Sequence, residues 1–198
     1  MTAPARGSAR RRGLVALLAG HEGADPGERA DLAAMRRHAE TLAEPFSPAQ
    51  LPAHFTGSAV VVDPGGERVL LVRHLLAGRW LQPGGHAEPG DAGSIAATAL
   101  REAQEETGCL LGLHPAAPRP LDVSVHRAPL RVTDPPHDHL DVRFLVVAED
   151  PDTVDHDPRE SSAARWLPWE AAMALVDEPE LHRLLAKART ALGATRHT

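Results

Sequence analysis

The stretch PGGHAEPGDAGSIAATALREAQEETG, Pro83 to Gly108, gathers carboxylates and glycines around one short helix. Arg101, Glu102, Glu105 and Glu106 fall within two helical turns, and positions three and four apart share a helix face. Glu102, Glu105 and Glu106 therefore converge. Like charges at that spacing repel by roughly 0.2–0.5 kcal/mol per pair, so a helix built for stability alone would interleave lysines. The alternative, a solvated acidic helix, does not account for the Gly84–Gly85 turn before it and the Thr107–Gly108 stop after it. A compensating positive charge is expected. A hard divalent cation, Mg²⁺ or Mn²⁺, takes all-oxygen ligands and suits a carboxylate row beside a glycine turn.

At these residues the chain resembles the Nudix hydrolase family, whose box reads G-x5-E-x7-R-E-U-x-E-E-x-G-U with U a bulky aliphatic residue. Gly85, Arg101, Glu102, Glu105, Glu106 and Gly108 fit the pattern. Asp91 stands where the family has Glu, Ala103 and Cys109 occupy the U positions, and nine residues instead of seven separate Asp91 from Arg101. The extra residues fall in the loop Ala92–Gly93–Ser94, because the turn before it and the helix after it each align without gaps.

The resemblance implies an α/β fold: an α/β/α sandwich around a mixed sheet. It also implies an enzyme that hydrolyses a nucleoside diphosphate linked to another moiety by metal-assisted attack of water on a phosphoanhydride. On the same footing the metal ligands are Glu102, Glu105 and Glu106, with a backbone carbonyl of the glycine turn at Gly85. Arg101 completes the catalytic group, chiefly as a pin between loop and helix, with Glu105 and Asp91 as its expected partners. Which carboxylate is the general base varies across the family and is left open.

Composition agrees with one globular enzyme domain carrying an extension. The chain has 198 residues and 42% apolar content, enough for a single core and too apolar for a disordered chain. A net charge of −6 argues against a general nucleic-acid binder, which needs a basic face; a capped RNA end remains the one nucleic-acid substrate to consider. Cys109 is the lone cysteine, so no internal disulfide forms, consistent with a cytoplasmic location. No segment reaches the ~20 apolar residues of a membrane span. The twelve histidines are scattered, without the paired Cys or His spacings of a zinc site.

Arg10, Arg11 and Arg12 precede the apolar run Leu14–Ala19 and imitate an export signal. The run is short, and His21, Glu22 and Asp25 follow without a small-residue cleavage pattern. Residues 1–12 are therefore expected to be a disordered basic tail, 13–53 a helical extension and connector, and 54–198 the hydrolase domain. In the extension, Leu32, Met35, Ala39 and Leu42 recur at helical intervals between Pro26 and Ala43. That face is expected to pack on the core or on a sister subunit in a homodimer. Pro45, Pro48 and Pro52 then break the helix.

From His54 the pattern turns to strands. FTGSAVVVD and RVLLVR flank Pro64–Gly65–Gly66, a hairpin signal. Further strands are expected around Trp80–Leu81, over Leu121–Arg127 and over Leu140–Ala148. The box helix has Ser94 as N-cap, Ile95, Ala99 and Ala103 as its buried stripe and Gly108 as its left-handed stop. SSAARWLPWEAAMALV reads as a strand and then a helix with Pro168 in its first turn. Leu181, Leu184, Leu185, Ala188 and Leu192 mark a final amphipathic helix.

Outside the box, alternation in HDHLDVRF puts His137, His139, Asp141 and Arg143 on one strand face and Leu140, Val142 and Phe144 on the other. The apolar set is core. The polar set either lines the substrate groove or faces water, and similar H-x-H-x-D-x-R-F strings recur in a bacterial Nudix subgroup that also carries HFTGSA-like and WLQPGGH-like segments. His139 and Asp141 are taken as substrate-binding candidates, and His86, next to the box glycines, as a third. Glu149 and Glu160 are candidates for an extra acidic ligand. Trp80, Trp166 and Trp169 read as packing residues.

Three classes of function remain. The first is a metal-dependent pyrophosphohydrolase acting on a small nucleotide-type substrate, favoured by the intact carboxylates. The second is a non-catalytic binding or regulatory protein on the same fold. The third is an isopentenyl-diphosphate isomerase-like enzyme, which would need a cysteine at the site, where Cys109 reads as packing.

Overall fold

The computed structural model describes residues 4–91, 94–129 and 135–195. Helices α1 (Pro4–Ala19) and α2 (Pro26–Thr41) come first, followed by strands β1 (Ala53–Val62), β2 (Arg68–His74), β3 (Arg79–Leu81) and β4 (Gly84–His86). The box helix α3 (Ile95–Thr107) leads to β5 (Leu111–Leu113), β6 (Asp122–Arg127) and β7 (Asp138–Ala148). Strand β8 (Ser161–Pro168) and helices α4 (Trp169–Leu175) and α5 (Pro179–Thr195) close the chain. No helix among the described residues is long and apolar enough to cross a membrane.

The sheet is mixed and runs β3-β2-β1-β7-β5, with β4 also on β1, β6 also on β7 and β8 also on β2. Its spine is the parallel pair β1 and β7, in register from Ala53 opposite Asp138 to Val62 opposite Val147. Both strands are covered on both faces, as parallel pairs usually are. Phe55, Ala59 and Val61 of β1 and Leu140, Val142, Phe144 and Val146 of β7 pack against Ile95, Ala99 and Ala103 of α3. On the other face Val60, Val62 and Leu145 meet Trp169, Ala172, Leu181, Leu184 and Leu185 from α4 and α5. The result is the expected α/β/α sandwich. A Cβ at Gly57 would lie 2.8 Å from the Ile95 carbonyl oxygen and 2.9 Å from the Ala99 nitrogen, so glycine there lets the box helix rest directly on β1.

The N-terminal helices belong to the same core. Leu14, Leu18, Leu32, Met35, Ala39 and Leu42 join the cluster beneath α3. The expected disordered tail through residue 12 is corrected: α1 already starts at Pro4, with residues 1–3 outside the described residues. Its arginines give the physical reason. Arg11 donates to the carbonyls of Ala39, Glu40, Leu42 and Ala43 at the end of α2, and Arg36 of α2 donates to Leu18, Ala19 and His21 at the end of α1. Each helix thus satisfies the other's orphan C-terminal carbonyls.

A buried ion network ties this extension to the last helix. Glu28 of α2, fully buried, accepts from Lys187 Nζ at 2.6 Å and meets His21 Nε2 at 2.8 Å. Asp122 accepts from Arg183 at 2.8 Å and from Lys187 at 3.2 Å. Burial alone would raise the Glu28 carboxyl, but the hydrogen bonds from His21, Lys187 and the Ala24 amide hold it far below the ordinary range.

Two elements escape the sequence pattern. Strands β4 and β5 are three residues each, too short to show alternation. Pro168 ends β8 and precedes α4 instead of lying within its first turn.

Candidate active site

Helix α3 is set by its ends. Ser94 accepts the Ala97 amide at 3.1 Å, and Gly108 takes the left-handed conformation with φ of 67°. Of the loop holding the two-residue excess, Ala92 and Gly93 lie outside the described residues. With Ile95, Ala99 and Ala103 turned into the core, Arg101, Glu102 and Glu105 face a cavity of about 530 Å³.

Arg101 is the hub of the box. Its Nε donates to Asp91 Oδ1 at 2.7 Å, Nη1 to Glu105 Oε2 at 2.9 Å, and Nη2 to Glu102 Oε1 at 3.0 Å and the His86 carbonyl at 2.7 Å. Both expected partners, Asp91 and Glu105, are present, and the Glu102 and His86 contacts extend the set. Asp91 is buried and also accepts from the Glu88 amide at 2.7 Å and the Thr98 hydroxyl at 2.8 Å. Burial would raise its carboxyl, yet these donors, Arg101 foremost, hold it low. Its oxygens are therefore committed to shaping the loop. Arg10, from α1, reaches the same loop through the Glu88 carbonyl at 3.3 Å and Asp91 at 3.7 Å.

The glutamates are not equivalent. Glu106 is 3% exposed; its Oε1 accepts the Gly84 amide at 2.8 Å, and its Oε2 is buried with no protein partner. Burial pushes its carboxyl up to about 8, opposed by the Gly84 hydrogen bond and reinforced by Glu160, Glu102 and Asp157. Burial likewise raises Glu102 to about 7 despite the Arg101 contact. Gly85 fits against it, since a Cβ there would lie 2.6 Å from Glu102 Oε2. An orphaned buried carboxylate oxygen, with further acids crowding it, is a donor set short of one positive charge, and a hard divalent cation matches it. Glu102, Glu105 and Glu106 are the side chains that would hold that ion.

The opposite wall is a polar block on the sheet. His54, Thr56 and Ser58 of β1 stand opposite His139, Asp141 and Arg143 of β7, which in turn stand opposite His126, Ser124 and Asp122 of β6. His86 of β4 pairs with Thr56. His86, His139 and Asp141 thus line the same cavity as Glu102 and Glu105. Asp141 is buried and accepts from Thr56 Oγ1 at 3.0 Å, Ser58 Oγ at 2.7 Å and Arg143 Nε at 2.9 Å. Burial opposes its ionisation, but Arg143, His126 and the Ser58 hydroxyl together outweigh that and hold the carboxyl below its ordinary value. Desolvation and the neighbouring imidazoles of His86, His126 and His54 lower His139 to about 2, so it is a neutral ring.

The remaining candidates separate cleanly. Glu160 lines the cavity. Glu149 is exposed past the far end of β7 and does not. Trp80 and Trp169 are core residues, and Trp166 donates to the Pro151 carbonyl at 2.8 Å. Cys109 is 1% exposed and lies outside the cavity lining. His54, His126, Thr56 and Ser58 were not anticipated. The signal for three of them was the polar alternation of H-F-T-G-S at the start of β1.

Residues 53–188 match the NUDIX domain family. The chain belongs to the Nudix family and is a hydrolase of phosphorus-containing acid anhydrides. Among solved structures it is similar to an Ap4A hydrolase of C. elegans, at 22% identity and a TM-score of 0.54, over 71% of this chain and 98% of that one. A NUDIX-family hydrolase of Clostridium perfringens gives 24% identity and a TM-score of 0.50 over 72% and 97% of the two chains. The Nudix hydrolase RenU of M. smegmatis gives 18% identity and 0.50 over 74% and 90%. Comparison with curated proteins returns no match.

Proposed function

We propose that this protein is a divalent-metal-dependent pyrophosphohydrolase that cleaves a phosphoanhydride bond in a small nucleotide-type substrate. The observation that carries the reading is the orientation of Glu102 and Glu105 into one polar cavity, backed by the orphaned Glu106 Oε2. Mg²⁺ or Mn²⁺, when bound, offsets the pyrophosphate charge and lowers the pKa of the attacking water. The chain's own part is positional. Arg101 holds Glu102, Glu105 and the His86 carbonyl in a fixed relation, and the Gly84 amide orients Glu106. The volume of about 530 Å³ suits a nucleotide-sized ligand. His86 and His139 offer imidazoles to the substrate on the facing wall, and Asp141 supports that wall through Thr56 and Ser58.

The buried position of Cys109, away from the cavity, weighs against an isomerase. The intact carboxylates weigh against a non-catalytic module. The test is a panel of nucleoside triphosphates, ADP-ribose, dinucleoside polyphosphates, nucleotide sugars, CoA and capped RNA with Mg²⁺, Mn²⁺ or EDTA. The reading expects hydrolysis of at least one compound that EDTA abolishes. Hydrolysis that persists in EDTA, or none across the panel, counts against it.

A further inference from the structure

The wall facing the box carries a second constellation, of which the proposed function uses His139 alone. We propose that His54, His137 and His139 form a separate metal site for a borderline transition ion, Zn²⁺ foremost. The three residues come from two distant parts of the chain. Pairing of β1 with β7 sets His54 opposite His139, and His137 stands just before β7. One nitrogen from each ring lies within 4.8 Å of the other two. Zinc bonds imidazole nitrogen at about 2.0–2.1 Å, so small side-chain rotations close the three over an ion.

The hydrogen bonds around these rings point the same way. His54 Nδ1 faces the Gln50 carbonyl at 3.4 Å, and His137 Nδ1 faces the Pro135 carbonyl at 2.8 Å. A carbonyl can only accept, so each Nδ1 carries a hydrogen, and in the neutral ring each Nε2 presents a lone pair. Metal-binding histidines are oriented by this kind of contact. His54, 1% exposed, and His139 both have a buried Nε2 with no protein partner. A histidine packed merely as core would leave these nitrogens unsatisfied, at a cost that native interiors usually avoid.

The donor set also selects the ion. Asp141, the acid on this strand face, is already engaged by Thr56, Ser58 and Arg143. That leaves an all-imidazole site, which favours Zn²⁺ over the Mg²⁺ or Mn²⁺ suited to the box glutamates. Because His137 and His139 line the cavity, the remaining coordination position opens toward it. An ion there would place positive charge on the wall opposite the glutamates, and the ion, rather than the His139 ring, would then face an anionic substrate. This last consequence rests on the hydrolase reading; the metal site itself does not.

The test reads metal binding, not hydrolysis. Full-length protein is dialysed against chelator, then titrated with Zn²⁺ in competition with a chromogenic chelator, and with Co²⁺ while its visible absorption is followed. The wild type should take up one tight equivalent and show the intense bands of a low-coordinate Co²⁺ site. A Glu102→Gln/Glu105→Gln/Glu106→Gln variant should keep that equivalent. His54→Gln and His137→Asn should each weaken it by more than the roughly 10–100-fold that loss of an outer-shell partner costs and should lose the rise in Tm that Zn²⁺ gives the wild type. Their Tm without zinc reports whether they fold, and His137, at the strand end, is the milder change. Zinc affinity unchanged in both histidine variants, or lost in the glutamate variant, would overturn the site.

Discussion

Arg101 and Asp91 are joined twice, Nε to Oδ1 at 2.7 Å and Nη2 to Oδ2 at 3.3 Å, across the loop that carries the box's two-residue excess. The guanidinium is the main partner of an aspartate whose side chain is 1% exposed. Arg101→Ala should therefore destabilise the fold by about 3 kcal/mol, the scale for stripping one partner from a buried pair. For a chain of this size that corresponds to a fall in Tm of roughly 6–12 °C. Turnover should fall with it, because Glu102 and Glu105 lose their shared anchor. Arg101→Lys should recover little, since an ammonium cannot reproduce the fork. An unchanged melting temperature in the alanine variant would remove the structural role.

Asp141 lines the cavity, yet its carboxylate is spent on Thr56, Ser58 and Arg143. From alternation alone, Asp141→Ala is expected to act mainly on KM. The structure changes that expectation. Arg143 is 5% exposed and would be left with a weakened partner set, so Asp141→Ala should cost about 3 kcal/mol of stability by urea denaturation, together with activity. A variant of wild-type stability and raised KM would restore the direct-contact reading.

Glu102 and Glu106 make the metal-free protein sensitive to pH in an unusual direction. Their folded values, about 7 and about 8, lie above the ordinary 4.5. At these two groups the folded state binds more protons than the unfolded state, so their contribution falls as pH rises from about 4.5 to about 8. The lowered His139 ring works the opposite way only up to the ordinary histidine value of 6.5, which leaves a net decline from there to about 8. Melting curves in EDTA should show that decline, and Mg²⁺ should raise Tm more at pH 8 than at pH 5. Glu28 works oppositely, since its lowered carboxyl stabilises above the ordinary range and loses that contribution in acid. A metal-free Tm that rises between about pH 6.5 and 8 would contradict the assignment.

Lys187, the chain's lone lysine, holds Glu28 at 2.6 Å and Asp122 at 3.2 Å. Both acids are fully buried. Lys187→Ala should destabilise by roughly 3–5 kcal/mol, and hydrogen exchange should rise first in α2 and at the start of β6. Uniform exchange with unchanged stability would show that the N-terminal helices are held by apolar packing alone.

The box, both caps of α3 and the apolar faces of β1 and β7 were legible because each is a local pattern: fixed spacing, a serine and a glycine at helix ends, a period of two. What could not be read depends on pairing between distant segments. His54 and His126 become neighbours of His139 only through the register of β1, β7 and β6. Glu28 looks like an ordinary helix carboxylate until Lys187 and His21 reach it. The arginine-rich start resembles a solvated tail because its helix-forming partners are carbonyls at the end of α2, which no local pattern reveals.

Turnover of Glu106→Gln on the best substrate of the panel, at saturating Mg²⁺, tests the central claim most directly. Glutamine keeps the acceptor for the Gly84 amide and removes only the charge at a carboxyl that burial already disfavours as an anion. The variant should melt at or above the wild-type temperature in EDTA while its kcat falls by at least about a hundredfold. Wild-type turnover in a well-folded Glu106→Gln protein would contradict the account.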